Sequence, residues 1–279
     1  MNIELKIKNR IEMKTIFGML MVVWSVTVSV AQSSGELIVP LSDPAKRGKL
    51  KASLNTGSIF VKGTNRKDVL IKYSAEVDKN THNRGGERNG LKRIGGGTMD
   101  LEAVENQNFV RVQSNSWSNK LNLDIEVPIG FDLVVSTYND GDLEVYNIQG
   151  EVELKNYNGE ITAANISGSV VATTYNGEVK VSFDKVTEGA PMSFTTWNGD
   201  IELVFPATMK ATFKMKSEQG EVLSDFDMKV IQSGPVKKED TRAGVYKVVV
   251  DEWVKGEING GGPEIMMKNY NGDIIIRKK

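Results

Sequence analysis

The sequence predicts an all-β protein: a β-solenoid, or parallel β-helix-like stack, of coils about eighteen residues long with irregular capping ends. Three observations predict it. Gly141, Gly150, Gly159, Gly168 and Gly177 stand at strict nine-residue spacing. Each is followed by a short run such as Asp142-Leu143-Glu144-Val145 or Glu178-Val179-Lys180-Val181, whose second and fourth places are apolar. Such alternation is a strand with one face toward a core. The corners also alternate. Tyr138-Asn139, Tyr157-Asn158 and Tyr175-Asn176 lead into every second glycine, and Asn147-Ile148-Gln149 and Asn165-Ile166-Ser167 into the others. A unit of two strands and two turns cannot bury its apolar face alone, so copies must stack. An antiparallel meander is the competing geometry, because Asn-Gly is also a hairpin signal. Two turn types in fixed phase favour the coil.

The chain has 279 residues, and its 39% hydrophobic content suffices for a substantial core. A net charge of −1 without a long single-sign run gives no footprint for nucleic acid. Cysteine is absent, which excludes disulfides, thiolate metal sites and a lipid-anchored cleavage site.

Residues 1–31 read as a secretory signal. Lys6, Lys8, Arg10 and Lys14 are a basic lead, Ile16 to Val30 an apolar run, and Ser29-Val30-Ala31 a small-residue cleavage site. Gln32 would then begin the mature chain, and Met13 is an alternative start. The expected location is outside the cytoplasm, in the periplasm or on the cell surface. The rival reading, an uncleaved anchor, meets a run shorter than the ~20 residues a span needs. A membrane is thus expected as a partner only through the signal before cleavage.

Residues 32–279 are expected to form a single domain. Its N-terminal capping part, 32–130, begins with a strand at Glu36–Pro40 and a turn at Ser42-Asp43-Pro44. Asn55-Thr56-Gly57-Ser58-Ile59-Phe60-Val61 is a first copy of the repeat, and Asp68 to Val77 a further strand region. Loop 78–98 breaks the pattern. It is rich in Gly, Asn and basic residues and is a surface loop, with anion binding as its functional reading. Strands follow at Asn108–Gln113 and Leu121–Val127, the second stopped by Pro128. Regular repeats fill 131–223. The C-terminal part, 224–279, opens with an irregular insertion at 224–244 and ends in a last copy, Asn269-Tyr270-Asn271-Gly272-Asp273-Ile274-Ile275-Ile276.

Tyr138, Tyr157, Tyr175, Trp197 and Tyr270 occupy equivalent corners and are the candidate binding residues. A structural aromatic ladder is one reading; an exposed strip that binds sugar rings or a partner protein is the other. The accompanying Asn139, Asn158, Asn176, Asn198 and Asn271 read as a turn-forming ladder.

Catalytic chemistry finds little to stand on. His82 is the only histidine, and nothing in the sequence places a nucleophile beside it. Asp142, Glu144, Glu151, Glu153, Glu160 and Glu178 alternate with apolar residues and belong to a solvated face. Asn-Gly-Asp at 198–200 and 271–273 lacks the glycine density of calcium-binding β-rolls. No catalytic residue, metal ligand or cofactor is predicted.

Several pieces together carry a resemblance: Val39-Pro40-Leu41-Ser42-Asp43-Pro44, Asn55-Thr56-Gly57-Ser58-Ile59, Gly90-Leu91-Lys92-Arg93-Ile94, the Tyr-Asn-Gly repeats, and Ile258-Asn259-Gly260-Gly261-Gly262-Pro263 through Ile274. With these the chain resembles the bacterial adhesin-like β-strand-repeat family, exported domains of unknown function, over nearly the whole mature length. The resemblance implies a β-solenoid, export and an adhesive or envelope role, with no catalytic residues to carry over. The expected function is therefore non-enzymatic binding to a glycan or an envelope or surface protein. The alternatives are a polysaccharide lyase or hydrolase on a β-helix, and a purely structural or signalling-associated envelope domain.

Overall fold

The computed structural model describes residues 33–76, 100–117, 119–187, 189–190, 192–231, 236–242, 245–251 and 253–279. The predicted signal, loop 78–98 with His82, and Gly234-Pro235 lie outside these. The chain divides into Met1–Val30 and Ala31–Lys279, and the second unit is described below.

Among the described residues every regular element is a strand. The first seven are β1 (Ser33–Pro40), β2 (Lys49–Thr56), β3 (Ile59–Thr64), β4 (Asp68–Glu76), β5 (Glu102–Asn106), β6 (Phe109–Ser114) and β7 (Lys120–Pro128). The repeat region gives β8 (Asp132–Asn139), β9 (Leu143–Tyr146), β10 (Glu151–Lys155), β11 (Ile161–Thr173), β12 (Val179–Val186), β13 (Met192–Thr195), β14 (Ile201–Phe205), β15 (Ala211–Gln219) and β16 (Val222–Ser224). The rest are β17 (Lys229–Ile231), β18 (Val236–Arg242), β19 (Val245–Asp251), β20 (Val254–Ile258), β21 (Glu264–Asn271) and β22 (Ile274–Lys278). Two of these, β17 and β18, fall in the predicted irregular insertion at 224–244, and β19 follows it. There β17 pairs antiparallel with β20, and β18 with β19.

Alternation decides which side chains face in. In β7, Leu121, Leu123, Ile125 and Val127 are buried while Asn122, Asp124 and Glu126 face out, as the period of two requires. The buried residues of β2–β4, β6–β15 and β20–β22 form one continuous core.

Parallel pairing builds two stacks. One runs β6, β2, β8, β10, the second half of β11, β13, β21, β15. The other runs β7, β3, β9, the first half of β11, β12, β14, β22, β16. Register steps match the predicted repeat: Val152 pairs with Leu133 and with Val170. The predicted strands on either side of Asn165 are one element. β11 crosses from one stack to the other through register shifts around Ile166, bulges that bend a strand without ending it.

Sequence order and stack order differ at both ends. The pair β2–β3, first in the chain, lies inside β6–β7. The pair β21–β22, last in the chain, lies between β13–β14 and β15–β16. Antiparallel strands then close the stacks: β4 and β1 beyond β7, β5 beyond β6, and β20 and β17 beyond β15.

The two corner types use glycine differently. At Tyr157-Asn158-Gly159 the glycine itself is left-handed, with φ of 150°, and a Cβ there would clash with the Gly141 carbonyl oxygen. At Asn165-Ile166-Ser167-Gly168 the asparagine takes the left-handed backbone, φ 57°, which Asn tolerates better than other residues with a Cβ. Gly168 is needed for close approach to the Gly150 carbonyl instead.

Candidate functional site

Five successive corners place four columns of side chains side by side, and the first column runs on to a sixth corner at Ser217. The first column points inward and was not singled out from the sequence. Thr137 Oγ1 donates to the Gly57 carbonyl at 2.7 Å, Asn156 Nδ2 to Gly141 at 2.9 Å, and Thr174 Oγ1 to Gly159 at 3.0 Å. Thr196 Oγ1 reaches Gly177 at 2.8 Å, Asn269 Nδ2 Gly199 at 2.8 Å, and Ser217 Oγ Gly272 at 2.8 Å. Each corner thus satisfies a carbonyl of the coil before it, which a dry interior would otherwise leave unpaired. A signal was present: the residue before every corner aromatic is Thr or Asn.

Alternation continues through the corner, so the next residue points out. Tyr138, Tyr157, Tyr175, Trp197 and Tyr270 are 38–45% exposed. Their rings stack in order with centroids 4.6, 5.1, 5.6 and 4.5 Å apart and interplanar angles of 6–12°. The structure thus brings all five predicted residues together. Tyr270, from the last copy, directly follows Trp197 because β21 lies beside β13. Trp117, which the sequence did not single out, meets Tyr138 edge-on at 5.5 Å and is 62% exposed.

Stacking settles what these rings can offer. Interior members have both faces covered by neighbours, so solvent meets ring edges, phenol hydroxyls and the indole N–H. Two residues earlier on the same outer face runs a second row, Ser136, Lys155, Thr173, Thr195 and Lys268, in direct register. The surface is a flat strip of hydrogen-bonding groups repeating at the strand spacing of ~4.8 Å.

The third column is the predicted asparagine ladder. Asn158 Nδ2 donates to Asn139 Oδ1 at 3.0 Å, Asn176 to Asn158 at 2.7 Å, Asn198 to Asn176 at 2.7 Å, and Asn271 to Asn198 at 3.5 Å. Every amide points the same way, so successive bonds polarise one another.

Carboxylates make the fourth column, and some have more than solvent for company. Asp142 Oδ1 accepts the Glu160 N–H at 2.8 Å, Asp200 Oδ1 that of Asp273 at 2.8 Å, and Asp273 Oδ1 that of Glu221 at 2.8 Å. Lys180 lies on the adjoining outer face and pairs with Glu178. The hydrogen bond to Glu178 raises the Lys180 ammonium above its ordinary value, with Glu160 and Glu202 adding to it against some desolvation.

A separate open cavity of about 750 Å³, lined by Val186, Met192, Pro206, Met209 and Ile265 among others, shares no residue with the columns. Asp184 at its rim is paired with Lys279. Among the described residues no group of His, Asp and Glu could hold a metal ion, and no helix is long and apolar enough to cross a membrane.

Stacked parallel strands, uniform corner ladders and a surface strip together define an all-β repeat protein. The chain belongs to the Toastrack DUF4097 family, whose model matches residues 2–252. The last coil, β21–β22, lies beyond that match, although it sits inside the stack. Two solved structures are similar. One is described as a "putative cell adhesion protein" from Clostridium sporogenes ATCC 15579, 13% identical, TM-score 0.48, covering 88% of this chain and 100% of the other. The second is described as a "putative adhesin" from Bacteroides fragilis NCTC 9343, 8% identical, TM-score 0.38, covering 88% and 97%. No curated protein matches.

Proposed function

We propose that the protein is an exported, non-enzymatic β-solenoid that works by binding, with the aromatic strip as its contact surface. The observation that carries this is the alignment of five partly exposed rings with a parallel row of Ser, Thr and Lys. Because the ring faces are occupied by one another, the fitting partner is an extended glycan or polypeptide of the envelope or cell surface. It would lie along the stack and hydrogen-bond to edges and hydroxyls, rather than a sugar laid flat on one ring. Rigid, repeated groups cost little entropy to immobilise, which suits a surface of this kind.

Calorimetry against purified glycans and envelope fractions tests the reading. Binding that vanishes in the double variant Tyr157→Ala, Tyr175→Ala supports it, and binding that survives refutes the strip as the site. Export is tested separately by protease shaving of intact cells. Loss of the chain with a periplasmic control protected puts it on the surface; protection puts it inside the envelope.

A further inference from the structure

Among the described residues, four strands of the large sheet pair on one side only: β1, β5, β16 and β17. Free edges invite pairing with another chain, and proteins blunt them with short length or charge. Three of the four are blunted. β16 and β17 have three residues each, and β5 has five with Glu102 and Glu105. β1 is different. It has eight residues, a single charge at Glu36, Pro40 only at its last position and, among the described residues, no ladder partner beyond β4. Leu37 and Ile38, on opposite faces of the strand, are 38% and 59% exposed. The nearby β5 is tied to the chain just past β1, where Glu105 accepts from Ser42, and no ladder joins β5 to β1.

We infer that β1 is a self-association strand, pairing antiparallel with β1 of a second copy across a two-fold axis. The pairing continues the antiparallel order already set by β7, β4 and β1. A two-fold perpendicular to the sheet keeps inner faces with inner faces, so a residue must oppose one of its own parity. That leaves few registers. Centring on residue 36 sets Glu36 against Glu36 of the second copy, a like-charge pair that opposes association. Centring on residue 37 sets Leu37 against Leu37 and Glu36 against Ile38, and lays residues 34 to 40 opposite one another with Pro40, which has no N–H to donate, only at the ends. Centring on 35 or 38 pairs only about five residues of β1, so 37 is the register.

The chain has no cysteine, which makes cross-linking a clean test on protein purified as the source cell processes it. Leu37→Cys puts two thiols on the axis, within the ~4.4–6.8 Å between Cα atoms that a disulfide accepts. Ile38→Cys puts them two residues out of register, beyond that reach. Mild oxidation should join the first variant into a covalent dimer and leave the second monomeric. Sedimentation of the unmodified chain should give twice the monomer mass, and Leu37→Glu, folded by circular dichroism, should return it to monomer. A monomeric unmodified chain, a dimer that survives Leu37→Glu, or equal cross-linking of both cysteine variants would each overturn the inference.

Discussion

Asn198 donates its side-chain amide to Asn176 Oδ1 at 2.7 Å, and Asn176 donates in turn to Asn158 at the same distance. Asn176 is therefore donor and acceptor at once, a role aspartate cannot fill. Asn176→Ala should cost ~1–2 kcal/mol for the two lost bonds. Asn176→Asp should cost more at neutral pH, because a carboxylate would face the Asn158 oxygen. Thermal melts from pH 7 to 3 check this. The excess cost of Asp over Ala should shrink as the new carboxyl gains a proton and can donate again.

Thr174 tests the inward column. Its hydroxyl donates to the Gly159 carbonyl and the residue is nearly inaccessible. Thr174→Val keeps the shape and removes the donor, so chemical denaturation should show a loss of ~1–2 kcal/mol. Thr174→Ser should lose less, since the hydroxyl remains.

Gly159 combines a left-handed backbone with a neighbouring carbonyl that leaves no room for a Cβ. Gly159→Val should destabilise by at least ~3 kcal/mol. Gly189 is left-handed too, yet a Cβ there meets nothing, so Gly189→Ala should cost clearly less. An equal shift in melting temperature for the two would show that close packing of the corners contributes nothing.

Acid should loosen the β5 end first. Glu105 is held below its ordinary 4.5 by the backbone N–H of Asn108, then by the backbone N–H and hydroxyl of Ser42. A carboxyl lowered in the folded state stabilises fully above its unfolded value and loses that contribution as pH falls through the folded one. Between pH 6 and pH 3 the native chain should therefore lose more melting temperature than Glu105→Gln, which has no charge to lose.

Much of this architecture was legible in the amino-acid order. The nine-residue glycine beat marks the corners, and apolar alternation assigns Leu143, Val145, Val179 and Val181 to the core, where they lie. Tyr270 was recognisable as a fifth copy of Tyr138 from its Asn-Gly neighbours. The inward Thr and Asn column was written just as plainly before each aromatic, but an aromatic draws the eye and a threonine at a turn does not. Asp142 shows a second gap: alternation puts a side chain outside without saying whether a backbone N–H awaits it there. The order of the coils was not legible at all. Periodicity is local, and that β21 lies beside β13 depends on contacts between residues more than seventy positions apart.

That interleaving dictates how the molecule can be made. Leu50 and Ile59 must wait for strands from β6 to β9 before both their flanks are filled. At the other end, Ile265 and Ile274 enter between coils whose residues leave the ribosome earlier. A chain emerging from its N-terminus therefore cannot complete the column rung by rung. The rung β21–β22 closes it only after the rungs on both its flanks have been made, as a keystone does an arch. Neither β2–β3 nor β21–β22 can peel away alone, because each is flanked on both sides.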